Sequence, residues 1–384
     1  MTNAASRKKL LIIFGTRPEA IKLFPVISAL QDDPQLRPIV CVSGQHRDML
    51  DQVLRIAGLV PDYDLDLMRA GQGLDHLTAA LLTGLGHVMD CEQPVRVLVQ
   101  GDTATALAGT MAAYYRRIPV DHVEAGLRSG ALYQPWPEEG MRRAIGSLAS
   151  LHFAPTQSAR DALLAENVAE ERIFVTGNTG IDALRWISHK IAAQPGLASG
   201  LAGLIARFSG KRIIAVTTHR RENLGAGLAR IATAVRQIAA SRDVAVIFPV
   251  HPNPEVHSAV YPVLDGLDNV ALIRPLDYPN FVHLLTQAEI VLTDSGGIQE
   301  EAPALGKPVL VLRETTERPE GIVAGTARLV GTDPERIRAE VLRLLDDSAA
   351  YRTMVRARSP YGDGRAARRI VTIIRRELGS QPRA

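Results

Sequence analysis

Short apolar runs alternate with helix-length amphipathic stretches along almost the whole chain, and this alternation limits the possible folds more than any other feature. Residues 10–14, 39–43, 95–100, 120–124, 151–154 and 173–176 read as strands, and 20–30, 47–57, 103–115, 141–149 and 158–166 as helices. Strands that are apolar on both faces and separated by helices belong to a parallel sheet covered on both sides. The expected fold class is therefore α/β, doubly wound. The pattern pauses from Gln194 to Gly210, then resumes with strands at 213–217, 244–250, 271–273, 290–293 and 308–312. Helices at 228–240, 281–287, 298–305 and 336–345 fill the intervals, giving a second Rossmann-like unit of similar size.

At roughly 150 residues per domain, the 384 residues suit two domains. The expected division is 1–178 and 179–359, with the basic tail 360–384 forming a helix that returns to the first domain. Tandem domains of this kind place the ligand in an interdomain cleft, at the carboxyl ends of the strands. Functional side chains are expected just after strands.

Composition removes several classes of function. Lys plus Arg is 44 against 41 Asp plus Glu, a net charge of +3, and aromatic residues are 4% of the chain. Neither a strong basic field nor a base-stacking platform is present, so nucleic acid and anionic membrane surfaces are not expected partners. No run of about 18 apolar residues is available to span a bilayer. Cys41 and Cys91 have neither CxxC nor metal spacing, which points away from a disulfide framework and toward a cytoplasmic location. The apolar run 10–14 behind Arg7-Lys8-Lys9 is too short for a signal peptide.

The segments after the strands carry the chemistry. Gly15-Thr16-Arg17-Pro18-Glu19-Ala20-Ile21-Lys22 puts Arg17 and Lys22 at a helix N-terminus, an anion-favouring place, without Walker spacing. Asp102 follows one strand, where an N-cap role is an equal reading, and Glu124 closes another. Pro135-Trp136-Pro137 delivers Glu138 and Glu139 to the first turn of a helix, where the dipole alone already favours them. Acids on several loops of one face suggest proton transfer, because neighbouring carboxylates raise one another's pKa. His219, between a strand end and Arg220-Arg221, has no second ligand at metal spacing and suits a phosphate or proton transfer to a leaving phosphate. Thr293-Asp294-Ser295-Gly296-Gly297 runs from strand to helix, so bare N–H groups at Ser295, Gly296 and Gly297 can grip a diphosphate. Glu301, one turn further, has the reach for a ribose diol, and Arg313 and Arg318 can add cations.

Taken in order, GTRPEAIK, HVEAGLRS, PWPEE, HRREN, DSGGIQEEAPALGKPVLVLR and TTERPE resemble the non-hydrolysing UDP-N-acetylglucosamine 2-epimerase family, over residues 11–333. The resemblance implies a glycosyltransferase-B type fold and reversible conversion of UDP-GlcNAc to UDP-ManNAc through 2-acetamidoglucal, with no cofactor and no metal. It assigns Asp102, Glu124, Glu138 and His219 to catalysis. Arg17, Lys22, Arg142, Phe281, Ser295, Gly296, Gly297, Glu301 and Arg318 fall to substrate binding, with Phe281 at the uracil. It further implies a homodimer, a role in polysaccharide biosynthesis and a second UDP-GlcNAc bound as activator near Gln45, His46 and Gln72. Met141 stands where the family usually has Asn, Gly180 where it is usually apolar, and Asp48 where Gln is frequent. The nearest alternatives are an epimerase of a UDP-diacetamido-uronate sugar and a hydrolysing epimerase releasing ManNAc. A nucleotide-sugar sensor is the non-enzymatic one.

Overall fold

The computed structural model describes residues 7–44, 47–67 and 71–380. The chain divides into two units, one formed by Met1–Ala183 with Tyr361–Ala384 and the other by Leu184–Pro360. Each is built on a parallel sheet.

The first unit has seven strands: β1 (Lys8–Phe14), β2 (Leu36–Val42), β3 (Tyr63–Asp64), β4 (Arg96–Gln100), β5 (Val120–Val123), β6 (Leu151–Ala154) and β7 (Ile173–Val175), ordered β3-β2-β1-β4-β5-β6-β7. The second has six: β8 (Arg212–Thr217), β9 (Val244–Pro249), β10 (Val270–Ile273), β11 (Ala288–Thr293), β12 (Val309–Val311) and β13 (Ala327–Leu329), ordered β10-β9-β8-β11-β12-β13. In each sheet the winding direction reverses once, between β1 and β4 and between β8 and β11. Loops leave such a point in opposite directions and open a crevice beyond the strand ends.

Period-two patterning explains why both faces are covered. In β8, Ile213 and Ala215 join one apolar cluster with Ala245, Ile247 and Val291, while Ile214 and Val216 join another with Val246, Phe248 and Leu292. In the first unit, Leu11, Ile13, Val97 and Val99 pack on the helices Leu74–Glu92 and Ala104–Tyr115.

Several elements differ from the sequence-based expectation. The pause at 194–210 is helical, with a 3-10 segment Pro195–Leu201 and a helix Ala202–Arg207, because Ala198, Leu201 and Phe208 are buried on the second sheet. The strand expected to include Glu124 stops at Val123, since Glu124 turns into the left-handed region at φ +62°. Beyond the expected strands stand the edge strands β3 and β13, two and three residues long. The last helix, Ala366–Ser380, belongs to the first unit, and Asp182 accepts from the N–H groups of Ala366 and Ala367. No helix among the described residues is long and apolar enough to cross a membrane.

Candidate functional site

In the first unit, helix Arg17–Gln31 starts with a capping box. Glu19 Nα–H donates to Thr16 Oγ1, and Glu19 Oε2 accepts from the N–H groups of Gly15 and Thr16 at 3.1 and 2.8 Å. Glu19 Oε1 accepts from Thr103 Oγ1 at 2.7 Å, which ties the loop after β1 to the loop after β4 across the switch point. Burial pushes the Glu19 carboxyl up, against the hydrogen bonds from Thr103, Thr16 and Gly15. The T-x-x-E spacing is visible in the sequence; its tie to Thr103 is tertiary.

Glu124 is held by side chains from three separate segments of this unit. Lys22 Nζ lies 2.6 Å from both of its oxygens, Asn178 Nδ2 donates to Oε1 at 3.2 Å, and Gln100 Nε2 donates to Oε2. The strand ends exchange a second bond, His122 Nε2 to the Gly101 carbonyl oxygen at 2.7 Å. Burial drives the His122 imidazole down to about 3, so it is neutral and donates from Nε2.

Asp102 pairs with Arg142, and burial pushes its carboxyl up; the Arg142 charge opposes this and the Glu124 charge reinforces it. The two acids of the Pro-rich loop part company. Glu139 is fully buried and accepts from Ser129 N–H, Arg142 and Arg143 at 3.1, 3.3 and 2.9 Å. Glu138, the first residue of helix Glu138–Leu148, has its Oε2 buried without a hydrogen-bond partner among the described residues. Met141 sits in the apolar cluster beneath that helix, so the position carries core packing rather than a polar contact. Arg17 is half-buried at the head of its helix.

The second unit gathers polar groups around its own switch point. His219 follows β8 and Asp294 follows β11. Asp294 is fully buried and accepts from the N–H groups of His219 and Arg220 at 3.1 Å and from Asn223 Nδ2 at 2.9 Å. Burial raises its pKa, but the His219 ring and these donors outweigh it and the net shift is downward. The His219 ring, half-exposed, has Nδ1 3.3 Å from Asp294 Oδ1 and stacks on His251 with centroids 6.4 Å apart.

Ser295 caps helix Gly296–Ala304 without a side-chain capping bond; its N–H donates to Thr293 Oγ1 at 3.0 Å. A Cβ on Gly297 would meet nothing within 4 Å, so the head of the helix is open there. A Cβ on Gly296 would come within 3.0 Å of Glu317 Oε1. Glu317 bridges Arg220 and Arg313; burial pushes it up, but the arginines prevail and hold it down to about 2. Arg313 also donates to Glu222 at 2.5 Å, and Arg318 pairs with Glu300. The cations expected for a phosphate are thus each engaged by a carboxylate here. Glu301 is half-buried near Tyr278, whose hydroxyl is buried without a partner and pushed upward by burial first and the Glu301 charge second. Phe281 is half-buried against the second sheet.

Among the described residues no three His, Cys, Asp or Glu side chains gather as a metal cluster would. Gln45 and His46 lie outside the described residues, while Gln72 precedes helix Leu74–Glu92. Sequence reasoning named the strand-end acids and Lys22. It did not name Gln100 or Asn178, whose place beside Glu124 depends on the strand order.

Comparison with known proteins extends this picture. A family model described as UDP-N-acetylglucosamine 2-epimerase matches residues 28–375. UDP-N-acetylglucosamine 2-epimerases of Salmonella typhimurium and Escherichia coli K12 are each 53% identical over 369 residues, 96% of this chain and 98% of theirs. A crystal structure of the Neisseria meningitidis UDP-GlcNAc 2-epimerase bound to UDP-GlcNAc has a TM-score of 0.88 at 42% identity, covering 96% of this chain and 100% of that one. A Methanocaldococcus jannaschii UDP-GlcNAc 2-epimerase, solved with UDP-GlcNAc and UDP, gives 0.79 at 33% identity, over 96% and 99%. The two α/β units are of the glycosyltransferase-B type. With the match running nearly from end to end and more than half the residues shared with full-length relatives, the chain belongs to the UDP-N-acetylglucosamine 2-epimerase family.

Proposed function

We propose that the chain interconverts UDP-GlcNAc and UDP-ManNAc without hydrolysis, by loss and re-addition of UDP. A C2 proton beside an acetamido group is too weakly acidic for simple abstraction near neutrality, so the C1–O bond to the diphosphate must loosen with it. The electron pair of that bond leaves with UDP, a carboxylate takes the C2 proton, and the C1=C2 bond of 2-acetamidoglucal forms. Return of a proton to the opposite face of C2 and of UDP to C1 gives the epimer. No oxidant, reductant or water is consumed.

The observation that carries this reading is the presence of three carboxylates in three different settings within one unit. Glu124 is ion-paired to Lys22, Asp102 is pushed upward by burial, and Glu138 has a buried oxygen with no partner among the described residues. Glu124 or Asp102 serves as base on one face of the sugar and Glu138 carries the proton on the other. In the second unit, the helix head at Ser295, Gly296 and Gly297, with His219 and the nearby arginines, suits the departing diphosphate. Glu301 then accepts from the ribose, Phe281 borders the uracil, and Arg17 and Arg142 line the sugar end. Water must be kept from the intermediate, which it would consume.

We extend the proposal to a cytoplasmic homodimer, for which the exposed Tyr114 and Tyr115 offer an apolar contact, and to an activating second UDP-GlcNAc near Gln72. A monomeric sedimentation profile would remove the first and strictly hyperbolic kinetics the second.

The deciding experiment is incubation of the pure protein with UDP-GlcNAc in D2O, followed by NMR. Deuterium at C2 with UDP-ManNAc accumulating is the expected result. Free ManNAc with UDP would indicate a hydrolysing enzyme, and binding without any reaction a sensor or a different UDP-sugar.

A further inference from the structure

The chain leaves the first unit within helix Thr179–Ala193 and re-enters it at Tyr361. Exit and re-entry are laced together inside that unit. Asn178 N–H donates to the Tyr361 carbonyl oxygen at 2.7 Å, and Arg369 Nη1 donates to the Thr176 carbonyl oxygen at 3.0 Å. Gly177, at φ +89°, makes the approach possible: a Cβ there would lie 3.2 Å from Gly362 Cα.

Asn178 is 4% exposed, and each end of its amide has a defined partner. Oδ1 accepts from Gly180 N–H at 2.8 Å, which fixes the orientation of the amide and turns Nδ2 toward Glu124 Oε1, 3.2 Å away. Glu124 sits at φ +62°, an uncommon backbone state for a residue with a side chain, maintained only where the surroundings over-determine it. Among the described residues, the groups facing Glu124 include Lys22 from helix Arg17–Gln31, Gln100 at the end of β4, Asp102 in the following loop, His122 within β5 and Asn178.

We propose that Asn178 is a positioning residue for the reaction: the lacing that joins the chain's exit to its re-entry also aims the Glu124 carboxylate. This rests on the epimerase reading, in which Glu124 exchanges the C2 proton. Asn178 itself needs no contact with the sugar. Its amide donor stabilises the charged form of Glu124 and restricts the directions in which that form can point.

Asn178→Asp tests this while keeping the acceptor for Gly180 N–H and nearly the same volume. It places an anion where Glu124 now finds a donor, which favours protonated Glu124 and delays its availability as a base. The acidic limb of the kcat–pH profile should move up by about one pH unit, so that C2 deuterium exchange measured on that limb falls about tenfold. UDP affinity should stay within about twofold and the melting curve near that of the unsubstituted protein. Asn178→Ser, which removes the amide donor without adding a charge, should move the same limb in the same direction by a smaller amount, and it keeps the test decisive should Asn178→Asp fold poorly. If the unsubstituted protein exchanges C2 deuterium and neither folded variant moves the limb, the positioning role is wrong. If the unsubstituted protein exchanges nothing, the epimerase reading fails and takes this role with it.

Discussion

Asp294 and Glu124 both close a central strand of a parallel sheet, and the sequence presents them alike, as an acid followed by small residues. Their surroundings divide them. Asp294 is fully buried and is held by backbone N–H groups of His219 and Arg220 and by the Asn223 amide, with the His219 ring beside it. Glu124 faces a lysine and two side-chain amides, groups that can rearrange when a proton or a ligand arrives. A carboxylate held by backbone donors fixes a loop, whereas one held by movable side chains can take part in chemistry. Strand-end position alone does not tell the two apart; the donors do.

The largest expected effect tests the structural side of this contrast. Asp294→Ala removes the acceptor of two part-buried backbone N–H groups and one of the two acceptors of the Asn223 amide, and should lower stability by about 3 kcal/mol, read as a shifted denaturation midpoint. A change under about 1 kcal/mol would mean that Asp294 is not what holds the loop after β8. On the chemical side, Asp102→Asn should reduce C2 exchange by roughly 10²-fold with little change in melting temperature, since its partner Arg142 also contacts Glu139. A large melting shift with normal exchange would move Asp102 to the structural class.

The smallest effect concerns Glu317, which holds two arginines and stands beside Gly296. Its folded pKa, about 2, lies below the ordinary 4.5, so the stability it adds is present above about pH 4.5 and is lost as pH falls toward 2. Glu317→Gln should therefore cost about 1–2 kcal/mol at neutral pH and under about 0.5 kcal/mol at pH 2, as urea denaturation at the two pH values will show. It should also free Arg220 for an anion and leave Arg313 with Glu222 alone, tightening UDP binding; weaker UDP binding would mean that Glu317 aligns these arginines rather than competing for them.

Much of the fold was legible because strands buried on both faces read as unbroken apolar runs, as in Leu10–Phe14 or Val244–Phe248. The edge strands β3 and β13 were not, because Tyr63–Asp64 and Ala327–Leu329 are short and each holds a charged residue that breaks an apolar run. Residues 194–210 read as a pause because Pro195, Gly196 and Gly200 mask the buried Ala198, Leu201 and Phe208. Within the site, the acids and glycines after strands could be named from local pattern. The partners of Glu124 could not: Gln100 lies within an apolar strand and Asn178 follows β7, and only the order β4-β5-β6-β7 together with the returning chain brings them near one carboxylate. Glu138 and Glu139 are adjacent in sequence, yet helix geometry turns Glu139 to Arg142 and Arg143, and nothing local separates their roles.

In the proposed reaction Glu124 is a group that exchanges a proton with the sugar. Deuterium incorporation at C2 of UDP-GlcNAc, measured for Glu124→Gln beside the unsubstituted protein with UDP affinity determined in parallel, tests it most directly. Exchange should drop roughly 10²–10⁴-fold while UDP affinity stays within about twofold. Exchange at the unsubstituted rate in a folded Glu124→Gln protein would contradict it.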